Sequence, residues 1–138
     1  MTRLISVTFI IILTCIGCDL FHNDIEKIPE GVYTGTFQRQ FAFGGGDTAN
    51  VTMTFHSNDW TGQSNKTNFP ALCHGTYKIE KNKIVFINDC AFTADFDWTL
   101  ILSGEYDLTL NGSKLDLVHS DLGPSRDTWV DNYFLTKQ

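Results

Sequence analysis

The sequence predicts an all-β domain, an antiparallel up-and-down β-barrel of about eight strands, behind an N-terminal export signal. Three observations lead to this prediction. From residue 31 onward the apolar residues recur with a period of two, as in strands that bury one face. Turn residues such as Asn111-Gly112 separate these segments. No helical stripe is visible beyond the N-terminal segment, and short connections favour antiparallel neighbours, whose closure into a barrel removes exposed edges.

Composition limits the classes of protein that the chain can belong to. It has 138 residues, of which 42% are hydrophobic and 19% charged, so one folded domain is expected rather than a disordered chain. The formal net charge is -6 and no basic stripe is present, which argues against a nucleic-acid partner. The segment Gly44-Gly45-Gly46 lacks the Lys-Ser/Thr of a phosphate-binding loop and is expected to be a flexible loop. No cofactor is predicted.

The N-terminal segment has the pattern of a secretory signal. Arg3 is followed by an uncharged run over residues 4–17, shorter than the roughly 20 residues of a spanning helix. We therefore predict a signal peptide over residues 1–17, a tether over residues 18–29 and the barrel domain over residues 30–138.

The end of this segment, Ile16-Gly17-Cys18, resembles the lipobox of bacterial lipoproteins. The resemblance implies cleavage before Cys18 and its acylation by palmitate-type chains, which would anchor the protein in the bacterial cell envelope, at the inner or the outer membrane. Two alternatives stay open: an ordinary cleaved signal that leaves Cys18 as a thiol, and modification of Cys15 instead. Loss of Arg3 with the signal takes the net charge from -6 to -7, so the lipid rather than the protein surface would bind the membrane.

The strands are predicted in chain order from the alternation. The segments are residues 31–37, 51–55, a short piece around Trp60, 72–79, 84–87, 98–102, 106–110, 115–118 and 129–135. Short strands at regular spacing are typical of a sandwich or a barrel.

One hairpin also predicts a disulfide. If Lys81-Asn82 is a two-residue turn, Glu80 faces Lys83 and Cys73 faces Cys90. The cysteines then form a non-hydrogen-bonded pair with Cα atoms about 4.5 Å apart, within reach of a disulfide. Free thiols or a metal pair are the alternatives, and zinc is disfavoured because no histidine is expected on that face.

Several motifs suggest a family. The opening Gly31-Val32-Tyr33 resembles the first strand of calycins, the lipocalin-like barrels, with Tyr33 where those proteins carry a tryptophan. The segment from Cys73 to Leu110, with Cys-His-Gly-Thr-Tyr and Leu-Ser-Gly-Glu-Tyr, is similar to small lipocalin-like lipoproteins of Bacteroidetes. The resemblance covers most of residues 31–136 and implies a lipocalin-like barrel; no ligand-binding residue is carried over from it.

Two pairs of titratable residues are candidates for chemistry. Asp95 and Asp97 fall on one face if that segment is extended, as cation-binding or proton-sharing carboxylates do, but a solvated strand entry is the favoured explanation. His74 faces Asp89 in the predicted hairpin, where a surface ion pair is favoured over a catalytic pair. No catalytic residue and no metal site are predicted, and the protein is expected not to be an enzyme.

The aromatic residues suggest a binding function. An eight-stranded barrel has room for side chains alone or for one small ligand. If a cavity exists, the rings expected to line it are Tyr33, Phe37, Phe55, Tyr77, Phe86, Trp98 and Trp129. Trp98 and Trp129 each start a late strand and are expected near a barrel end. Binding of a small apolar or amphipathic ligand is the predicted function. The alternative is an envelope interaction protein, an assembly subunit or an enzyme inhibitor, with a filled barrel and an unknown protein partner.

Overall fold

The computed structural model describes residues 24–121 and 128–138, which form a closed antiparallel barrel. Its strands are β1 (Gly31–Phe41), β2 (Gly46–His56), β3 (Asp59–Ser64), β4 (His74–Glu80), β5 (Lys83–Asn88), β6 (Gly104–Asn111), β7 (Lys114–Asp121) and β8 (Trp129–Lys137). Each strand pairs with the next, and β8 pairs with β1 to close the barrel. This confirms the predicted all-β, up-and-down barrel and is consistent with a lipocalin-like fold. Within the described ranges, no helix has the length and apolarity needed to cross a membrane.

The two ends of the barrel differ in their connections. At one end, called the closed end here, two-residue turns at residues 57–58, 81–82 and 112–113 join neighbouring strands. At the other end, called the mouth, the connections over residues 42–45, 65–73 and 89–103 are longer. Long connections that a rigid barrel positions are where binding residues usually lie, so the mouth is the first place to look for a site.

The predicted β4–β5 hairpin and its disulfide are confirmed. Glu80 pairs with Lys83 and Tyr77 with Phe86, the register expected from a turn at residues 81–82. Cys73 and Cys90 are bonded, with Cα atoms 6.4 Å apart rather than the expected 4.5 Å. The wider spacing arises because both cysteines lie just outside the paired strands, which begin at His74 and end at Asn88.

The predicted strand over residues 98–102 is wrong. Residues Trp98–Leu100 form a 3₁₀ helix, whose N-cap Asp97 accepts a hydrogen bond from the Thr99 amide. Trp98 is exposed and Leu102 is fully buried, because the segment crosses from the mouth surface into the core. A polar residue that caps a turn competes with strand formation, and the alternation alone did not reveal it.

The predicted tether also differs in part. Ile28 is 0% exposed and Ile25 packs against the core. The Tyr33 hydroxyl donates to the Pro29 carbonyl oxygen at 2.7 Å, and the Ile25 amide donates to Asn82 in a closed-end turn. The folded body therefore begins before residue 30, and the chain enters it at the closed end. The predicted signal peptide and Cys18 lie outside the described residues.

Aromatic side chains fill the barrel interior. The rings meet mostly edge to face, the favoured geometry for aromatic pairs. Tyr33 lies 5.4 Å from Phe55 and Phe86 lies 5.6 Å from Tyr106, measured between ring centroids. The core below the mouth is therefore occupied by side chains in mutual contact, which was the alternative to an internal ligand cavity.

Candidate functional site at the barrel mouth

A buried ion pair separates the aromatic core from the mouth. Arg39 near the end of β1 faces Asp131 near the start of β8, and each residue is only 2% exposed. The guanidinium donates to both carboxylate oxygens of Asp131, from Nε at 2.7 Å and from Nη2 at 2.6 Å. Such bidentate geometry gives arginine–carboxylate pairs both strength and a fixed orientation.

The same guanidinium holds the long connection between β5 and β6. Arg39 Nη1 donates to Asp97 Oδ2 at 3.1 Å and to Thr99 Oγ1 at 2.7 Å, and Nη2 donates to the Thr99 carbonyl oxygen at 2.9 Å. Asp97 also caps the 3₁₀ helix, through bonds from the amide and hydroxyl of Thr99. The residue between them, Trp98, is thereby fixed at the mouth.

Electrostatics keep the guanidinium of Arg39 charged. Burial by itself lowers the pKa of Arg39, but the hydrogen bond and charge of Asp131, aided by Asp97, outweigh it, so the pKa lies above its ordinary value. Burial raises the pKa of Tyr106 and Tyr133 just below, and the negative charge of Asp131 adds to the effect. Both phenols are therefore neutral at physiological pH.

Trp129 covers the ion pair from above. The guanidinium carbon of Arg39 lies 4.8 Å from the centroid of a Trp129 ring, a cation–π contact. The indole N–H of Trp129 is buried and has no hydrogen-bond partner among the residues that the structure describes. A buried donor without a partner costs about 1–3 kcal/mol, so an acceptor at this point would stabilise the site.

An open groove of about 650 Å³ lies at the mouth, beside Trp98 and Trp129. Its wall combines aromatic rings with short polar side chains. The lining residues are Asn88, Cys90, Ala91, Phe92, Trp98, Thr99, Ile101, Ser103, His119, Asp121 and Trp129. Trp98 is 57% exposed, an unusual state for the largest apolar side chain. The groove has the size and the mixed lining of a small-molecule site.

His119 is the groove residue with the most defined orientation. Its Nδ1 lies 2.8 Å from the Glu105 carbonyl oxygen, and its ring lies 5.1 Å from the ring of Tyr106. Because a carbonyl only accepts, Nδ1 carries the hydrogen of this bond, and Nε2 is the second hydrogen-bonding atom of the ring. His119 therefore offers one fixed hydrogen-bonding atom besides the one that holds it in place.

The sequence-predicted ligand residues divide into two groups. Five of them are buried in the core and do not line the groove: Tyr33, Phe37, Phe55, Tyr77 and Phe86. Trp98 and Trp129 both line it. Sequence reasoning did not select Asn88 or Phe92, which lie at or beyond the end of β5, where alternation carries no signal. It did not select His119 either, which lies within β7.

The other sequence candidates form no catalytic cluster among the described residues. Asp97 bonds to Arg39 and Thr99, whereas Asp95 is exposed and its pKa is lowered mainly by a hydrogen bond from Thr93. His74 and Asp89 are opposite each other, and the Asp89 amide donates to the His74 carbonyl oxygen at 3.0 Å.

His74, predicted to lie on the opposite face of the hairpin, lies close to the cysteines. A ring nitrogen of this exposed histidine lies within 4.8 Å of the sulfurs of both Cys73 and Cys90. These sulfurs are joined in the disulfide, so they offer no thiolate, the form that binds metals.

Comparisons of the chain with protein families, with curated proteins and with solved structures gave no match.

Proposed function

We propose that this protein is a lipid-anchored envelope lipoprotein of lipocalin-like type, which binds a small amphipathic ligand in the mouth groove and catalyses no reaction. The observation that carries the proposal is the groove itself, where the exposed ring of Trp98 lies beside polar groups above a core already filled by side chains. Ligand sites combine apolar surface with a few placed polar groups that set orientation. The ligand would thus lie at the barrel mouth rather than inside the barrel.

Substitution of the exposed tryptophan tests this proposal. We expect the uncharged fluorescent amphiphile N-phenyl-1-naphthylamine to bind with a dissociation constant in the micromolar range, and Trp98→Ala to weaken binding at least about tenfold, since one lost aromatic contact is worth about 1.4 kcal/mol or more. Probe fluorescence, titrated against protein, measures both constants.

The matched control is Phe134→Ala, because Phe134 is also exposed but lies on the outer face of β8, away from the groove. Equal probe affinity in the wild type and both variants would contradict a site at the mouth.

The lipid anchor is a separate part of the proposal. Cys18→Ser should release the protein from membranes into the soluble fraction, because the acylated sulfur and amine would be lost. Cys15→Ser should leave it membrane-bound, since Gly17 and not Thr14 is the small residue before the modified cysteine. Fractionation followed by immunoblotting measures both. Release by Cys15→Ser alone would instead identify Cys15 as the anchor.

The proposed anchor would lie at the end of the barrel opposite the groove. Residues 24–29 pack against the closed end, and the chain from Cys18 to Asp24 spans at most about 20 Å when extended. The closed end would then lie next to the bilayer, and the mouth would open toward the aqueous compartment. A ligand would reach the groove from water.

One observation favours the alternative, an interaction protein. Phe43 is 87% exposed and Phe41 46% exposed, both at the mouth end of β1. Exposed aromatic residues are enriched in protein interfaces. A photo-crosslinking residue at position 43 should then capture one defined protein in the native host, whereas the same residue at position 134 should not.

A further inference from the structure

We infer that the ligand of the mouth groove is an uncharged saccharide, an inference that rests on the proposed binding function. A sugar ring presents C–H groups on its faces and hydroxyl groups around its edge. It therefore needs an aromatic platform that is bordered by short hydrogen-bonding side chains. The groove residues supply this combination.

The filled core disfavours an acyl chain. Phe37 and Tyr133 lie 4.9 Å apart between ring centroids, and the buried pair of Arg39 and Asp131 lies between this layer and the mouth. A long apolar tail would have to displace this ion pair to enter the barrel, which leaves buried charges uncompensated. The ligand must then fit within the open groove. Because part of a ligand bound there stays in contact with water, a compact and partly polar molecule fits best.

The platform and its border are both present. Trp98 offers an exposed ring, whereas Trp129 offers a single face because Arg39 covers the other. The negative faces of aromatic rings attract the weakly positive hydrogens of C–H groups. Around these rings lie three short neutral polar side chains, of Asn88, Thr99 and Ser103. The side chains of Asn88 and Thr99 already make hydrogen bonds within the chain, whereas the buried indole N–H of Trp129 has no partner among the described residues. A purely aromatic ligand would leave this donor unpaired, at a cost in affinity, whereas a hydroxyl-bearing ligand offers it an acceptor.

The charge of the groove selects a neutral ligand. No lysine or arginine is among the described lining residues. The nearest arginine, Arg39, directs its donors to Asp131, Asp97 and Thr99. Among the described residues an anionic headgroup would thus find no lysine or arginine as a partner, and the net charge of -6 repels it further.

The platform is held in place before any ligand binds. The residues on either side of Trp98, Asp97 and Thr99, are both bonded to the buried guanidinium. Ile101, further along the same connection, pairs with Ala71. Pre-organisation of this kind reduces the entropy that ligand binding would otherwise lose.

Displacement of N-phenyl-1-naphthylamine tests the inference. We expect at least one of three neutral trisaccharides (the N-acetylglucosamine trimer, cellotriose or maltotriose) to displace the probe with a dissociation constant below about 1 mM, a weak but specific range. Laurate should not displace it. Trp98→Ala should weaken trisaccharide binding at least fivefold by isothermal titration calorimetry, whereas Phe134→Ala should not change it.

The outcomes separate this inference from the proposed function. If the probe binds at Trp98 but laurate displaces it and no trisaccharide does, the saccharide inference is wrong while the binding function stands. If neither the probe nor any trisaccharide binds, both are wrong. Trisaccharide binding that Trp98→Ala leaves unchanged would also overturn the inference, because the sugar would then occupy a different site.

Discussion

Replacing Arg39 with methionine is expected to lower the free energy of unfolding by about 3–5 kcal/mol, the range for removing one partner of a buried ion pair. Methionine fills similar space but leaves the Asp131 carboxylate buried, where it has lost both of its bonds to the guanidinium. A stability of about 5–15 kcal/mol is typical of natural domains, so the variant should be close to unfolding. Urea denaturation followed by circular dichroism measures the loss.

Two companion variants make this prediction specific. Arg39→Met combined with Asp131→Leu should recover most of the lost stability, since replacing a whole buried pair by apolar residues is often neutral or stabilising. Lys83→Met is the surface control; it removes two exposed ion pairs, with Glu105 and Asp107, and should change the unfolding midpoint little. If Arg39→Met behaves like Lys83→Met, the buried pair does not have the role that its geometry assigns.

The double variant also separates stability from positioning. It lacks the guanidinium that bonds to Asp97 and Thr99, so Trp98 should lose its fixed orientation although the barrel is folded. Probe binding should therefore weaken while the unfolding free energy is restored. If the ion pair served stability alone, the double variant would recover both the unfolding free energy and the affinity for the probe.

The fold was predictable because its signals are local. Alternation over a few residues identifies a strand, and the two-residue turn at Lys81-Asn82 sets the register that brings Cys73 to Cys90. Each of these inferences needs only neighbours in sequence or one assumed turn. Closure between β1 and β8 followed from the need to pair both edges.

The site was less predictable because its contacts are distant in sequence. Arg39 lies between Gln38 and Gln40, beyond the strand predicted over residues 31–37, and its partner Asp131 is 92 residues away. No single-sequence pattern connects such a pair. Ile28 was missed for a similar reason, because one buried isoleucine in an otherwise polar segment has no periodicity to mark it.

Removal of the Cys73–Cys90 disulfide should lower stability but leave the groove intact. The bond joins residues 17 apart in sequence, and restricting the unfolded chain over such a loop contributes about 3 kcal/mol. For a domain of this size the melting temperature should fall by roughly 10–20 °C. The double variant Cys73→Ser/Cys90→Ser tests this by thermal denaturation, and reduction of the wild-type protein with dithiothreitol should give a similar decrease.

The groove should persist because Trp98 is held in place by contacts that do not depend on the disulfide. Beyond Cys90, the connection to β6 is held by the backbone bond from the Ala71 amide to the Leu100 carbonyl oxygen at 2.9 Å, and by Arg39 at Thr99. The affinity for N-phenyl-1-naphthylamine should therefore change less than about twofold at a temperature where the variant is folded. The disulfide variant would then lose stability with its binding retained, the opposite of the Arg39→Met/Asp131→Leu variant. A large loss of probe binding without the disulfide would instead show that the bond, and not the buried guanidinium, holds Trp98 at the mouth.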